Sequence, residues 1–518
     1  MLVLGLVDIP LWGQLLILFV AMIVAYLTYM SWDYNIFKKM GLDGPKPSYI
    51  LGNLGLFMKE GAVKAEVDLC RKYGKMFGTF EGKFPTLYIA DPKLIKDVLV
   101  KDFNSFVNRR DFGQLDDPKM NESLLALKDD HWRFVRNIIT PTFSGKKLRE
   151  MSPLIRQAQD LLLKNLETMA NNNEDTNLKE TFGAFTMDVI ARTSFGLEIN
   201  SQKDSNDPFI KHAKSFSNSK IMGLLMAIYM FLPFLTHFRG LRTVLHLIGL
   251  NLTKNASNFF VSVTEAALKE RRQNPGSHAD FLELMAHAQA ANEEVTKTED
   301  KTTSKFSSRN ALTDGEIRSQ ALVFFLAGYD TSSLTMTFVF YHLAIHPDIC
   351  DRVIQEVDDN LGKEPPNYDN IKTLTYTEMV IEETLRIFPP GFRIERVANQ
   401  DVVIGNVKIP NDMIVNIPIG AIQMDPEYWT DPEKFDPERF TAEAKAARDP
   451  YTYLPFGAGP RNCIGMRLAL MEQKMCIAAV LQAFRPIRSA KTDCPPKLSK
   501  FGNMPVEEGL WIKFEKRS

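Results

Sequence analysis

The elements legible in this sequence add up to a mainly α chain with a small β region. Three observations carry that expectation. The stretch from Asp314 to His346 holds no proline and reads as one long helix, opened by the capping box Thr313-Asp314-Gly315-Glu316 and stopped by Pro347. A second run of good helix formers, Met466 to Glu472, follows a glycine-rich loop. The clear strand-turn-strand patterns are short: 76 to 90, turning at Glu81-Gly82-Lys83, and 402 to 409, turning at Gly405-Asn406.

Composition bounds the rest. A chain of 518 residues has room for two to four domains, and 45% apolar residues suffice for a large core. The net charge of −1, with Lys and Arg spread along the chain, gives no basic stripe and argues against nucleic acid as a partner. The five cysteines (Cys70, Cys350, Cys463, Cys476, Cys494) are odd in number, irregularly spaced and without a C-x-x-C. That pattern points to a reducing compartment rather than a disulfide scaffold.

Residues 11 to 30 carry no charge. As a helix they would span about 30 Å, the thickness of bilayer hydrocarbon. Trp12, Tyr29 and Trp32 suit the two interfaces, and Lys38, Lys39 and Lys46 follow. The positive-inside rule then places the bulk of the chain in the cytosol. A cleaved signal peptide would want a basic start and a small-residue cleavage site, which the segment lacks. Residues 1–32 are thus read as a single membrane anchor in contact with lipid, 33–48 as a basic, proline-containing hinge around Gly44-Pro45-Lys46-Pro47, and 49–518 as the folded body.

Arg109-Arg110 precede His131-Trp132-Arg133-Phe134-Val135-Arg136. Trp132 and Arg136 lie four apart and project from one helical face, an indole N–H beside a guanidinium, both donors to an anion. A surface Arg beside a half-buried Trp is the plainer reading. Residues 221 to 236 form a second apolar run interrupted by Pro233, read as an interfacial segment, with a buried helix as the alternative. Residues 290 to 310 are polar and read as a mobile loop.

Inside the long helix lies Ala327-Gly328-Tyr329-Asp330-Thr331-Ser332. Gly328 and the Thr331 hydroxyl are expected to weaken the ladder and leave room beside it. An acid followed by an alcohol in a buried helix can relay protons with ordered water. Alternatively, Thr331 bonds to the carbonyl one turn back. Phe324, Ala327 and Thr331 share one face, so Phe324 and Ala327 are expected to wall a pocket, with Phe392 from a later loop. Glu383 and Arg386, at i and i+3 on a helix ended by Pro389-Pro390, form either a surface ion pair or a buried one. The tail around Trp511 suggests a last strand.

The stretch Phe456-Gly457-Ala458-Gly459-Pro460-Arg461-Asn462-Cys463-Ile464-Gly465 carries the chemistry. Its glycines allow backbone to approach a flat ligand and permit φ > 0. Arg461 and the following helix N-terminus would favour thiolate over thiol. A zinc ligand would want further Cys or His nearby, and a nucleophile a partnered base, yet no His follows His346. An axial iron ligand needs one thiolate alone, and a buried structural cysteine needs nothing.

The whole run, Phe456 through Gly465, resembles the haem-binding loop of the cytochrome P-450 family. W-x-x-x-R at Trp132 and Arg136, the A-G-Y-D-T run at Ala327 to Thr331, E-x-x-R at Glu383 and Arg386, and P-E-R-F around Arg439 resemble that family's other motifs. The likeness runs from the anchor to the C-terminus and is closest to the microsomal family-3 members. It implies the cytochrome P-450 fold: one large helical domain with a small β-sheet region, overriding the multi-domain prior from length. It implies haem b (iron protoporphyrin IX) as cofactor, with Cys463 as the metal ligand. Arg109, Trp132, Arg136, Arg396 and Arg461 would surround the propionates, and Ala327 and Phe456 would lie against the cofactor.

The resemblance further implies Asp330 and Thr331 as catalytic residues, where close relatives often carry Glu before Thr. Glu383, Arg386 and Arg439 become a structural charge triad. The implied activity is insertion of one oxygen atom into lipophilic small molecules such as xenobiotics and steroids. The implied electron source is NADPH through a reductase flavoprotein, with cytochrome b5 as a further carrier, at the endoplasmic reticulum membrane. A haem-thiolate isomerase or dehydratase working on hydroperoxides without NADPH is the rival reading; such relatives tend to lose the acid-alcohol pair.

Overall fold

The computed structural model describes residues 10–517 except 114–116, 205, 217–226, 237, 239, 248–253, 275, 277–279, 286–310 and 500–508. The expected loop at 290–310 and the first part of the apolar run at 221–236 lie outside the described residues. What is described is mainly helical, with three small sheets.

Helix α1, Leu11–Ser31, covers the apolar N-terminal segment, and most of its side chains are exposed. The chain then turns back onto the first hairpin. Phe37 is buried against Phe80, with ring centroids 5.2 Å apart. The Asn53 side-chain amide donates to the Pro45 and Lys46 carbonyls at 3.2 Å each, and the Gly78 N–H donates to the Asp43 carbonyl at 3.0 Å. The Gly44–Pro47 stretch is therefore fastened to the sheet.

Helix α2, Ala62–Tyr73, leads into β1, Met76–Glu81, and β2, Phe84–Ile89, which pair antiparallel where the alternation predicts. β2 pairs in parallel with β7, Ile414–Ile417, and β7 pairs antiparallel with β4, Ile394–Val397. A two-residue strand β3, Thr176–Asn177, joins β9, Trp511–Lys516, and β8, Phe484–Ile487. β5, Val402–Ile404, and β6, Val407–Ile409, form the second expected hairpin.

The helical body comprises α3, Asp129–Ile139; α4, Gly145–Asn171; α5, Leu178–Phe195; α6, Lys254–Gln273; α7, Asp314–Ile345; α8, Pro347–Asn360; α9, Thr375–Ile387; and α10, Met466–Ala483. Helix α7 is the axis. Its capping box forms as read: the Glu316 N–H donates to Thr313 Oγ1 at 3.1 Å, and the Thr313 N–H donates to Glu316 Oε2 at 2.6 Å. Thirty-two residues give a length of about 48 Å. Most of its side chains are buried among α4, α5, α8, α9 and α10, which excludes the membrane-span reading that its length and composition allow. Pro347 ends α7 and is also the first residue of α8, where its missing N–H costs nothing. The Glu356 carboxylate on α8 caps the start of α9, accepting from the Tyr376 and Thr377 N–H groups at 2.5 and 2.8 Å.

Gly328 behaves differently from the expectation. Helix α7 passes through it without a break, and a Cβ there would collide with Ile190 of α5. The glycine serves close helix–helix approach rather than room for a ligand.

Candidate active site

Three elements converge on Cys463: the loop that carries it, helix α3 with the segment around Arg109 before it, and β4. The loop folds on itself. The Cys463 N–H donates to the Phe456 carbonyl at 2.8 Å, the Asn462 N–H to Gly459 at 3.1 Å, and the Gly457 N–H to Leu454 at 2.9 Å. Gly457 and Gly459 adopt φ of 71° and 72°. A Cβ on Gly459 would strike the Leu99 carbonyl, so this glycine fits the loop to its neighbour; one on Gly457 would only touch Ile394 and Asn462, and Gly465 borders open space. Gln423 braces the loop from behind. Its Oε1 accepts from the Leu454 N–H at 2.9 Å, and its Nε2 donates to the Leu385 and Arg386 carbonyls at 3.0 and 2.9 Å.

The Cys463 sulfur precedes α10, which begins at Met466 with Gly465 as its cap. Protein surrounds the thiol on most sides, yet it keeps accessible surface. Burial pushes its pKa up, against the backbone N–H groups of Gly465 and Met466 and the charges of Arg136 and Arg109. Arg461 is turned elsewhere. Its guanidinium turns to the carbonyls of Val107, Leu124, Leu125 and Leu127 and lies 4.9 Å over the Trp132 ring. The expected help to the thiolate therefore comes from two other arginines.

Those arginines form a cluster. Arg136 Nη2 donates to Asn462 Oδ1 at 2.9 Å, tying α3 to the cysteine loop. Burial, Arg109, Arg396 and Arg136 push Arg461 down to about 8. Burial and Arg109 push Arg396 down to about 9. Both Arg396 and Arg461 are almost fully buried, and the Nε of each has no hydrogen-bond partner. Four neighbouring guanidinium groups, two of them with an idle Nε donor, match a ligand with two carboxylates. The residues present therefore fit a porphyrin that carries two propionates.

On the other side stands α7. In the middle of this buried helix Ala327 and Thr331, one turn apart, are exposed, and Leu326, Gly328 and Asp330 are half-exposed. Thr331 Oγ1 donates to the Ala327 carbonyl at 2.7 Å, the backbone-bonded arrangement weighed above. Phe324 is half-buried and engaged edge-on by Phe143 and Phe281, with centroids 5.9 and 4.5 Å away. Phe392 is half-buried beneath the Arg393 guanidinium, 5.0 Å from its ring.

Glu383, Arg386 and Arg439 come together in the core. Arg386 donates twice to Glu383, at 2.7 and 2.8 Å, and Arg439 Nε lies 3.4 Å from Glu383 Oε1. Arg386 also donates to the Gln423 and Lys434 carbonyls, so the triad and the cysteine loop share one support.

A second ion network escaped the sequence reading. Arg110 bridges Glu81 and Glu395 at 2.8 and 2.7 Å, while Arg393 bridges Glu81 at 3.2 Å and Glu66. Burial pushes Glu66 up to about 7 despite Arg393. Glu81 is held below the usual range because Arg110 and Arg393 outweigh its burial. Each of Arg110, Arg393 and Glu395 is the sequence neighbour of Arg109, Phe392 or Arg396. The alternation in Arg393-Ile394-Glu395-Arg396 is the signal that could have found it, because a strand sends 393 and 395 to one side and 396 to the other.

The family model described as Cytochrome P450 matches residues 42–511. The chain is 39% identical to Cytochrome P450 3A5 of Homo sapiens over 506 residues, covering 97% of this chain and 96% of that one. It is 38% identical to Cytochrome P450 3A11 of Mus musculus over 500 residues, with 96% and 95% covered. Against Cytochrome P450 3A18 of Rattus norvegicus it is 38% identical over 488 residues, with 93% and 94% covered.

Proposed function

Because the chain belongs to the cytochrome P450 family and is a haem b monooxygenase of that family, we propose that it hydroxylates lipophilic small molecules with electrons passed from NADPH by a membrane-bound reductase flavoprotein. The reaction consumes RH, O2, two electrons and two protons and yields ROH and water. Cytochrome b5 is a second electron donor of the right kind. Residues 1–32 anchor the chain in the endoplasmic reticulum membrane, residues 33–48 are the hinge, and residues 49–518 form the catalytic body on the cytosolic side.

When bound, haem b supplies a redox-active iron at which dioxygen is cleaved. Cys463 provides the proximal sulfur. The N-terminal dipole of α10 and the charges of Arg136 and Arg109 favour its thiolate form against the cost of burial. Arg109, Arg136, Arg396 and Arg461, with the Trp132 indole, hold the two carboxylates. Phe456 and Ala327 would lie against the cofactor, and Phe324 and Phe392 would contribute apolar wall to the substrate pocket. Asp330 would collect protons and Thr331 would hand them on, its hydroxyl released from the Ala327 carbonyl that it bonds in this structure. Glu383, Arg386 and Arg439 hold the scaffold and touch no reactant.

The single observation that carries this reading is an accessible cysteine sulfur beside a buried cluster of four arginines, of which Arg396 and Arg461 each keep an unused Nε donor. The test is Cys463→Ser. Its loss of the red-shifted band of the reduced carbon monoxide complex supports the ligand assignment, and persistence of that band refutes it. Thr331→Ala should lower product formed per NADPH several-fold, and unchanged coupling would remove Thr331 from the relay. Retention of Asp330-Thr331 disfavours the hydroperoxide isomerase reading; product formed from a hydroperoxide without NADPH, and none with it, would restore that rival.

A further inference from the structure

Ahead of α3 the chain runs from 121 to 128 with neither helix nor strand, yet Ser123, Leu124 and Leu127 in it are buried. The backbone groups of such a strap need partners from outside it. Helix α7 supplies some. Ser319 Oγ donates to the Lys119 carbonyl at 2.7 Å, Gln320 Nε2 donates to the Glu122 carbonyl at 2.6 Å, and the Leu124 N–H donates to Gln320 Oε1 at 2.8 Å. The cysteine loop supplies the rest. Arg461 Nη2 donates to the carbonyls of Leu124, Leu125 and Leu127 at 3.3, 3.2 and 2.8 Å. Leu124 is thus held twice, its N–H by α7 and its carbonyl by Arg461.

Gln320 is fully buried, and its amide also donates to the Glu316 carbonyl at 3.2 Å, so the acceptor and the donor are both in use. Gln320, Phe324, Ala327 and Thr331 fall at i, i+4, i+7 and i+11, one face of α7. The strap therefore sits on the continuation of the face that reaches the site. At its other edge the strap, with the Val107 carbonyl, takes both Nη groups of Arg461. The Arg461 Nε is the donor left without a protein partner. The carbonyl cage decides which atom of this guanidinium remains for an incoming carboxylate, and the cage is fastened to the body of the protein by one glutamine.

We propose that Gln320 is a positioning residue for the cofactor end of the site: by holding Leu124 it fixes the carbonyl cage that orients Arg461 and leaves its Nε for a haem carboxylate. The proposal rests on the reading of Arg461 as a holder of that carboxylate. Gln320 acts through the strap and not by contact with the cofactor.

The test uses the full-length holoenzyme in wild-type form and as Gln320→Met, Arg461→Lys, the Gln320→Met/Arg461→Lys double variant and Thr313→Ala. Two quantities are read: the rate of haem transfer to excess apomyoglobin, and hydrogen–deuterium exchange of peptides covering residues 119–128. Gln320→Met, close in volume but without the amide, should speed exchange there by about tenfold and haem transfer several-fold. Arg461→Lys, which loses the forked donor set, should speed transfer at least as much. The double variant should release haem no faster than Arg461→Lys, because Gln320 acts through that side chain. Thr313→Ala weakens the start of α7 while keeping the Gln320 amide, and should transfer haem at the wild-type rate.

A wild-type transfer rate in Gln320→Met, with Arg461→Lys fast, would overturn the proposal and leave the reading of Arg461 standing. A wild-type rate in Arg461→Lys would refute that reading and the proposal with it. Accelerations that multiply in the double variant, or an equal acceleration in Thr313→Ala, would also overturn the proposal, since Gln320 would then act on the fold at large. Should Gln320→Met give no folded holoenzyme, Gln320→Asn decides, its amide being one methylene too short to keep Leu124: faster transfer sustains the proposal and an unchanged rate overturns it.

Discussion

At Cys463 two opposing effects meet, and their balance could not be read from the loop alone. The charge of Arg461 and the helix N-terminus argue for a low thiol pKa, but burial wins, and Arg461 is committed to four carbonyls. Residue identity and spacing were legible. The direction in which a five-donor side chain points was not, because it depends on carbonyls more than 300 positions away in sequence. Glu472 shows the same limit, since its burial depends on elements packed around its helix. It also gives a pH prediction. Its folded pKa is raised from the ordinary 4.5 to about 8, so the folded state holds a proton that the unfolded chain releases earlier. The stabilising contribution is complete below 4.5 and is lost as pH rises through about 8, at about 1.4 kcal/mol per pH unit. Glu472→Gln does not titrate, so it should gain several kcal/mol relative to wild type between about pH 5 and about pH 8.5, read from denaturant midpoints.

Among the elements, those governed by local chemistry were legible. The capping box of α7, the stop at Pro347 and both hairpins appear where the sequence places them. Thr313→Ala should cost about 1 kcal/mol in unfolding free energy, because the cap serves the buried axis of the fold. Gly328 was legible as unusual but not as to purpose, since the reason is a methyl group of Ile190 on α5. Gly328→Val should destabilise by about 1–3 kcal/mol through overpacking, and Ile190→Ala in the same chain should recover part of that loss, as thermal unfolding of the single and double variants would show. Interlaced charge, such as the Glu66–Arg393–Glu81–Arg110–Glu395 chain, falls between the two cases. Its parity along β4 is visible in the sequence, whereas its partners on α2 and β1 are brought in only by the fold.

For the whole molecule, length alone suggests several domains, while the resemblance and the structure agree on a mainly helical body organised round α7. The anchor is not separate from it. Tyr26 on α1 donates to the Phe231 carbonyl at 3.2 Å, and Tyr29 lies edge-on to Phe234 with centroids 6.2 Å apart. Phe234 and Phe238 are exposed beside these contacts, at 55% and 60%. A chain beginning at residue 33 should therefore keep part of its affinity for lipid vesicles in flotation assays, and Phe234→Ser/Phe238→Ser in that shortened chain should remove most of what is left. Full release of the shortened chain with both phenylalanines intact would contradict the interfacial role of this segment. Only residues 227–236 of the apolar run bear on this, and the flotation assay separates the interfacial reading from the buried-helix one.

The parity of residues 393 to 396 has a consequence for variation. Between the end of α9 and β7 the chain deals its charges alternately, one set to the ion network and one to the arginine cluster. Adding or deleting one residue there would exchange the two sets at a stroke, whereas exchanging one side chain for a similar one disturbs a single contact. Deep mutational libraries across this strand should tolerate many substitutions and almost no change of length.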